Sequence, residues 1–87
     1  MSGEVEVVDD RTHYLISTRV DHDRYSVRSV GGGNVMVGHF FRDGLLWRID
    51  SPYATRQELL ATFEWSGDAY RLLWQISLRE GFSTERG

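Results

Sequence analysis

Apolar and polar residues alternate through most of the first fifty positions, and the alternation breaks off after Pro52. Val5 and Val7 alternate with Glu4 and Glu6. A half-buried strand produces that pattern, because successive side chains point to opposite faces of a sheet. Asp9 and Asp10 mark a turn. Over residues 12–20, Tyr14, Ile16, Thr18 and Val20 share one face, and His13, Leu15, Ser17 and Arg19 share the other. Asp21, His22 and Asp23 form the next turn, since aspartate side chains bond nearby backbone groups. A third strand is predicted over residues 24–30, ended by Gly31, Gly32, Gly33 and Asn34, all tolerant of positive φ.

Residues 35–50 predict a hairpin closed at Asp43 and Gly44 by a two-residue turn. That turn pairs Arg42 with Leu45, Phe41 with Leu46, Phe40 with Trp47 and His39 with Arg48. Met36, Phe40, Trp47 and Ile49 then form the expected core side. Val37, His39, Phe41, Leu46 and Arg48 lie opposite, and arginines alternating along the strands project from the open face.

Beyond Pro52, the only proline, the periodicity turns helical. Thr55 and Glu58 have capping-box spacing, in which each satisfies an orphan amide of the other at a helix start. Leu59, Leu60 and Phe63 follow at helical intervals, predicting a helix over about 55–64 that Ser66, Gly67 and Asp68 interrupt. Residues 69–78 fit two periods. As a strand, Tyr70, Leu72, Trp74, Ile76 and Leu78 alternate with polar residues. As a helix, Asp68, Arg71, Gln75 and Arg79 form a polar stripe opposite Ala69, Leu72, Leu73 and Ile76. Length, helix-forming composition and the Gly81–Phe82 stop favour a helix over about 68–80. The expected fold is therefore α+β: an antiparallel meander of four or five strands over about residues 4–50, with two C-terminal helices on one face. The alternative is all-β, with residues 59–65 and 69–78 as a further hairpin.

Eighty-seven residues suit one domain, because a core this small buries only about 60–65% of the unfolded surface and cannot be divided. Residues 1–3 and 83–87 are expected to fray. The 40% hydrophobic content is too high for disorder, no apolar run approaches the length of a membrane span, and there is no cysteine. The beginning of the chain lacks a signal-peptide pattern, so a cytoplasmic protein without membrane attachment is expected.

All ten basic residues are arginine, the usage of a GC-rich genome. Net charge is −3, unevenly spread. Glu4, Glu6, Asp9 and Asp10 make the first ten residues acidic. Six arginines against Asp21, Asp23 and Asp43 make residues 11–48 basic, and residues 49–87 are again acidic. The middle block is the one suited to an anionic partner.

No catalytic motif emerges. There is no Gly-x-Ser-x-Gly elbow, and Gly31 to Asn34 lack the Lys-Ser/Thr that completes a phosphate loop. His13, His22 and His39, with Asp21 and Asp23, lack metal-ligand spacing, and Glu64 and Asp68 straddle Gly67. The expectation is a non-enzymatic chain without cofactor or metal. Its partner would be another protein, bound by the outer hairpin face through His39, Phe41, Leu46 and Arg48, an apolar centre with an arginine rim. Association into a homo-oligomer is the other protein contact this composition allows. The expected role is that of a regulatory or accessory protein of inhibitor or adaptor type, with a phage or mobile element as the suggested source. As an alternative, residues 58–66 with Tyr70, Leu73, Gly81 and Phe82 resemble a helix-turn-helix unit. That resemblance implies nucleic-acid contacts by Arg71, Gln75 and Arg79, assisted by Arg19 and Arg28 on the sheet. Glu64 replaces the usual turn glycine, Ser77 replaces an apolar core residue, and the second helix is formally neutral, which weakens phosphate binding.

Overall fold

The computed structural model describes residues 5–7, 15–30 and 35–82. The turns expected at Asp9 and Asp10 and over 31–34, His13 and the start of the second strand, and the frayed ends lie outside them. Five antiparallel strands, β1 (Val5–Val7), β2 (Leu15–Asp21), β3 (Arg24–Ser29), β4 (Val35–Asp43) and β5 (Leu46–Asp50), run in the order β1-β2-β3-β4-β5. Helices α1 (Arg56–Leu60) and α2 (Ser66–Glu80) follow. The fold is α+β, as the alternation followed by helical spacing predicts.

The β2–β3 turn forms at His22 and Asp23, where Asp23 takes the left-handed conformation (φ 62°) that aspartate tolerates. The Asp21 carboxylate accepts from the His22 amide at 2.7 Å. The β4–β5 hairpin departs from the expected register. Asp43 pairs with Leu46, Phe41 with Arg48, Phe40 with Ile49 and His39 with Asp50. The turn residues are thus Gly44 and Leu45, with positive φ at Gly44 alone (68°). That places glycine first in the loop, the position a type II′ turn requires, whereas the expected type I′ turn needs two positive φ angles. Each pairing moves by two residues, so the facing of β5 is unchanged.

A second departure does change a facing. The β3–β4 ladder slips between Val27, paired with Gly38, and Arg28, paired with Met36. The bulge puts the extra residue at Val37, and the bulged strand reverses phase there. Val37 is consequently buried, while Met36, expected in the core, is 44% exposed. Strict alternation cannot reveal such a reversal, because the bulge depends on the neighbouring strand.

The core joins Leu15, Val27, Val37, Phe40 and Ile49 of the sheet to Ala69, Leu73 and Ile76 of α2. The expected polar stripe of α2, Asp68, Arg71, Gln75 and Arg79, is exposed. Beside the core, Tyr25 stacks on Phe40 (5.0 Å between centroids, 8° between planes), and Trp47 and Tyr70 approach Phe40 at 6.0 and 6.2 Å. Each such pair adds about 0.5–1.5 kcal/mol to the area it buries.

Gly38 lies where α2 crosses the sheet. A Cβ there would stand 2.5 Å from the Asp50 carbonyl oxygen, 2.8 Å from Ser51 Cβ and 3.0 Å from Leu73 Cδ2. Buried Ser51 donates to the Val37 carbonyl (2.6 Å) and accepts from the Tyr53 amide (3.1 Å), fastening the chain leaving β5 to the bulge.

Helix α1 begins with the predicted capping box. The Thr55 hydroxyl accepts from the Glu58 amide (3.1 Å), and the Glu58 carboxylate accepts from the Thr55 amide (2.8 Å). The helix ends at Leu60, short of the expected residue 64, because Phe63 is drawn into an antiparallel bridge with Trp47 through bonds of 2.7 and 2.9 Å. Helix α2 stops where expected. Gly81 is left-handed (φ 78°), and the Gly81 and Phe82 amides donate to the Leu78 and Ser77 carbonyls, a Schellman closure. Among the described residues, no helix is long and apolar enough to cross a membrane.

Gly38→Ala should lower unfolding free energy by about 1–3 kcal/mol, the usual cost of overpacking. Gly67→Ala, in the first turn of α2 with nothing within 4 Å of the new methyl, should leave stability unchanged or raise it by up to about 0.5 kcal/mol. Urea unfolding followed by circular dichroism checks both.

Candidate functional site

Because α2 covers the face carrying Leu15, Val27, Phe40 and Ile49, strand alternation turns the neighbouring residues to the opposite face. Register arranges them in three rows. Asp21, Arg24, Phe41 and Arg48 form the first, on β2, β3, β4 and β5. Thr18, Ser26, His39 and Asp50 form the second, and Ile16, Arg28 and Met36 the third. Leu46, 36% exposed, lies diagonally from Phe41 at the hairpin end.

The four residues expected to form a protein-binding patch, His39, Phe41, Leu46 and Arg48, therefore share this face, with altered neighbours. Phe41 faces Arg48 in place of Leu46, and His39 faces Asp50 in place of Arg48. Arg24 was missed as a patch residue. Its guanidinium lies 4.8 Å above the centre of the Phe41 ring, a cation–π contact. Its alternation with Arg28 along β3 was the available signal; the β3–β4 register was needed to put it beside Phe41.

Arg48 has a different task. It donates to the Asp43 carboxylate at 3.1 Å and to the Leu59 carbonyl at 3.0 Å. One guanidinium thus ties the hairpin tip to the last turn of α1, whose carbonyls lack helical partners. His39 is half-buried, and its imidazole pKa falls below the ordinary 6.5. Burial is the main cause, the Arg24 charge adds to it, and Asp50 opposes both.

Of the residues of the nucleic-acid alternative, Arg71, Gln75 and Arg79 share the exposed stripe of α2, while Arg19 and Arg28 lie elsewhere, on the sheet. Arg71 and Gln75 lie exposed on α2, where they line a shallow depression of about 220 Å³ with Phe63, Asp68 and Leu72. Arg79 is held by the Glu58 carboxylate at 2.8 and 3.1 Å and by the Tyr53 carbonyl at 2.9 Å. That contact, with the Thr55 cap, holds the Glu58 pKa below its usual value. Arg28 projects from the opposite side of the sheet, and Arg19 approaches His22 at the β2–β3 turn (3.4 Å). Helix α1 has five residues and packs along β5, so the segment resembling a helix-turn-helix does not form a helix pair of that kind.

Among the described residues, no three histidine, aspartate or glutamate side chains converge as a metal site requires. His22 is exposed in its turn, 3.5 Å from Asp23. Compared with protein-family models, characterised proteins and solved structures, the chain matches none.

The His39 environment sets a pH dependence. Its folded-state pKa is depressed, so the unfolded chain takes up this proton first. Stability therefore rises with pH through the window between the folded value and 6.5, and levels off above it. The His39 ring resonances should titrate below pH 6.5 by NMR, and His39→Gln should flatten the stability-versus-pH curve in that window.

Proposed function

We propose that this chain is a small non-enzymatic protein-binding domain of regulatory or accessory kind, and that the open sheet face is its contact surface. The observation carrying this reading is the Phe41 neighbourhood. It sets half-buried Phe41 and exposed Leu46 beside Arg24 and Arg48, with His39 in the next row and Arg28 and exposed Met36 beyond it on the same face. An apolar centre that excludes water, surrounded by arginines, is how protein interfaces concentrate binding energy. Arg48, bonded on two sides, holds the rim in place before a partner arrives, which lowers the ordering cost of association. A cysteine-free chain suits action in a reducing cytoplasm, and inhibitors or adaptors encoded by phages or mobile elements are the expected functional company.

The test is affinity capture from the source cell with wild-type, Phe41→Ser and Leu46→Ser proteins matched for urea midpoint. A nuclease-resistant protein partner should be captured by the wild type. It should be weakened by Phe41→Ser by about 2 kcal/mol or more, and less by Leu46→Ser. Equal capture by all three proteins, or loss of the partner on nuclease treatment, would overturn the reading.

A further inference from the structure

The arginines of this molecule divide into those already bonded and those poised. Arg48 and Arg79 spend their donors on Asp43, Glu58 and backbone carbonyls. Arg24 lies over the Phe41 ring and makes no hydrogen bond or ion pair among the described residues. A guanidinium is a planar fork of N–H donors that matches a carboxylate, and a cation–π contact with a ring leaves those donors free to bond. Arg28 stands four residues further along β3 on the same face.

We propose that Arg24 on Phe41 is the carboxylate-binding element of this face, and that the docking protein segment carries two acidic side chains about 13 Å apart, one for Arg24 and one for Arg28. The inference rests on the proposed protein-binding reading and names the chemistry of the partner. Four residues of extended chain span the same distance. An extended segment with acids at i and i+4 thus presents both carboxylates on one side, with the residue at i+2 above Ser26 and His39.

Single-stranded nucleic acid fits this face less well. Such binding uses several aromatic rings as stacking platforms, yet Tyr25, Phe40 and Trp47 are packed together on the helix side, leaving Phe41 as the aromatic ring of the open face among the described strand residues. Asp50, exposed at the end of the second row, would also repel a continuous polyanion, whereas two discrete carboxylates can avoid it.

The experiment titrates the isotope-labelled full chain, followed by NMR, with three probes. These are the blocked peptide Ser-Glu-Ser-Leu-Ser-Glu-Ser, its twin with both glutamates replaced by glutamine, and a short oligothymidylate. The acidic peptide should shift the Arg24, Arg28 and His39 signals and bind more tightly than its glutamine twin. Arg24→Gln and Arg28→Gln should each weaken it by about three- to fivefold, and added salt should do the same. Arg71→Gln, on α2, should leave binding unchanged. Equal titration by the two peptides, titration by neither, or tighter binding of the oligothymidylate overturns the proposal. The captured partner separates the two readings. If Phe41→Ser releases it and the two glutamine variants do not, the acidic-segment proposal falls while the binding domain stands.

Discussion

The packing of α2 against Gly38 is the contact on which the rest of the molecule depends. Leu73, Ser51 and the Asp50 carbonyl occupy the space that a side chain at this β4 position would need. The β-bulge at Val37 belongs to the same arrangement. It turns Val37 inward as a core residue, sends Met36 outward, and gives Ser51 a carbonyl to bond. Interiors are packed near the density of organic crystals, so a contact this close leaves little freedom to shift or rotate the helix. The facing of His39 and Phe41 follows directly, because both lie on the stretch of β4 whose phase the bulge resets.

The outer half of the structure is organised by guanidinium chemistry. Arg48 bridges a carboxylate and a helix-end carbonyl at once, and Arg79 does the same with Glu58 and Tyr53. A planar fork with five donors supports two differently placed acceptors in a way a single ammonium matches poorly. A lysine-free composition is therefore structurally used, whatever its genomic origin. The bonded arginines join elements distant in sequence: the β4–β5 hairpin to α1, and α1 to the last turn of α2. Arg24 stacks across one strand and keeps its donors. Its place beside Phe41, with donors uncommitted among the described residues, is what the acidic-segment proposal rests on.

Shielding one face of a small sheet with a single long helix has a further consequence. The aromatic side chains able to extend the core, Tyr25, Phe40, Trp47 and Tyr70, gather under α2. Among the described residues, the opposite face of the sheet retains smaller apolar groups, the Phe41 ring and most of the sheet's charge. The edge of β5 is covered by the Phe63 bridge, which limits pairing of another chain there. That leaves the face, and not this edge, as the surface available to a partner.

By itself the sequence determined the features whose causes lie within a few residues. The meander follows from period-two alternation, the α1 start from the Thr55–Glu58 cap, the α2 stop from Gly81 and the solvent side of α2 from its polar stripe. It also placed His39, Phe41, Leu46 and Arg48 on a common face, because a two-residue register change preserves facing. Tertiary structure alone decided whatever depends on a second segment. Gly44 and Leu45 became the turn, Val37 and Met36 exchanged roles at a bulge defined by β3, and α1 stopped early because Trp47 offered Phe63 a pair of backbone bonds. Arg24 met Phe41 only through the β3–β4 ladder. Local preferences act through neighbours along the chain; register, bulges and cross-strand stacking are set by packing against residues remote in sequence, on which alternation carries no information.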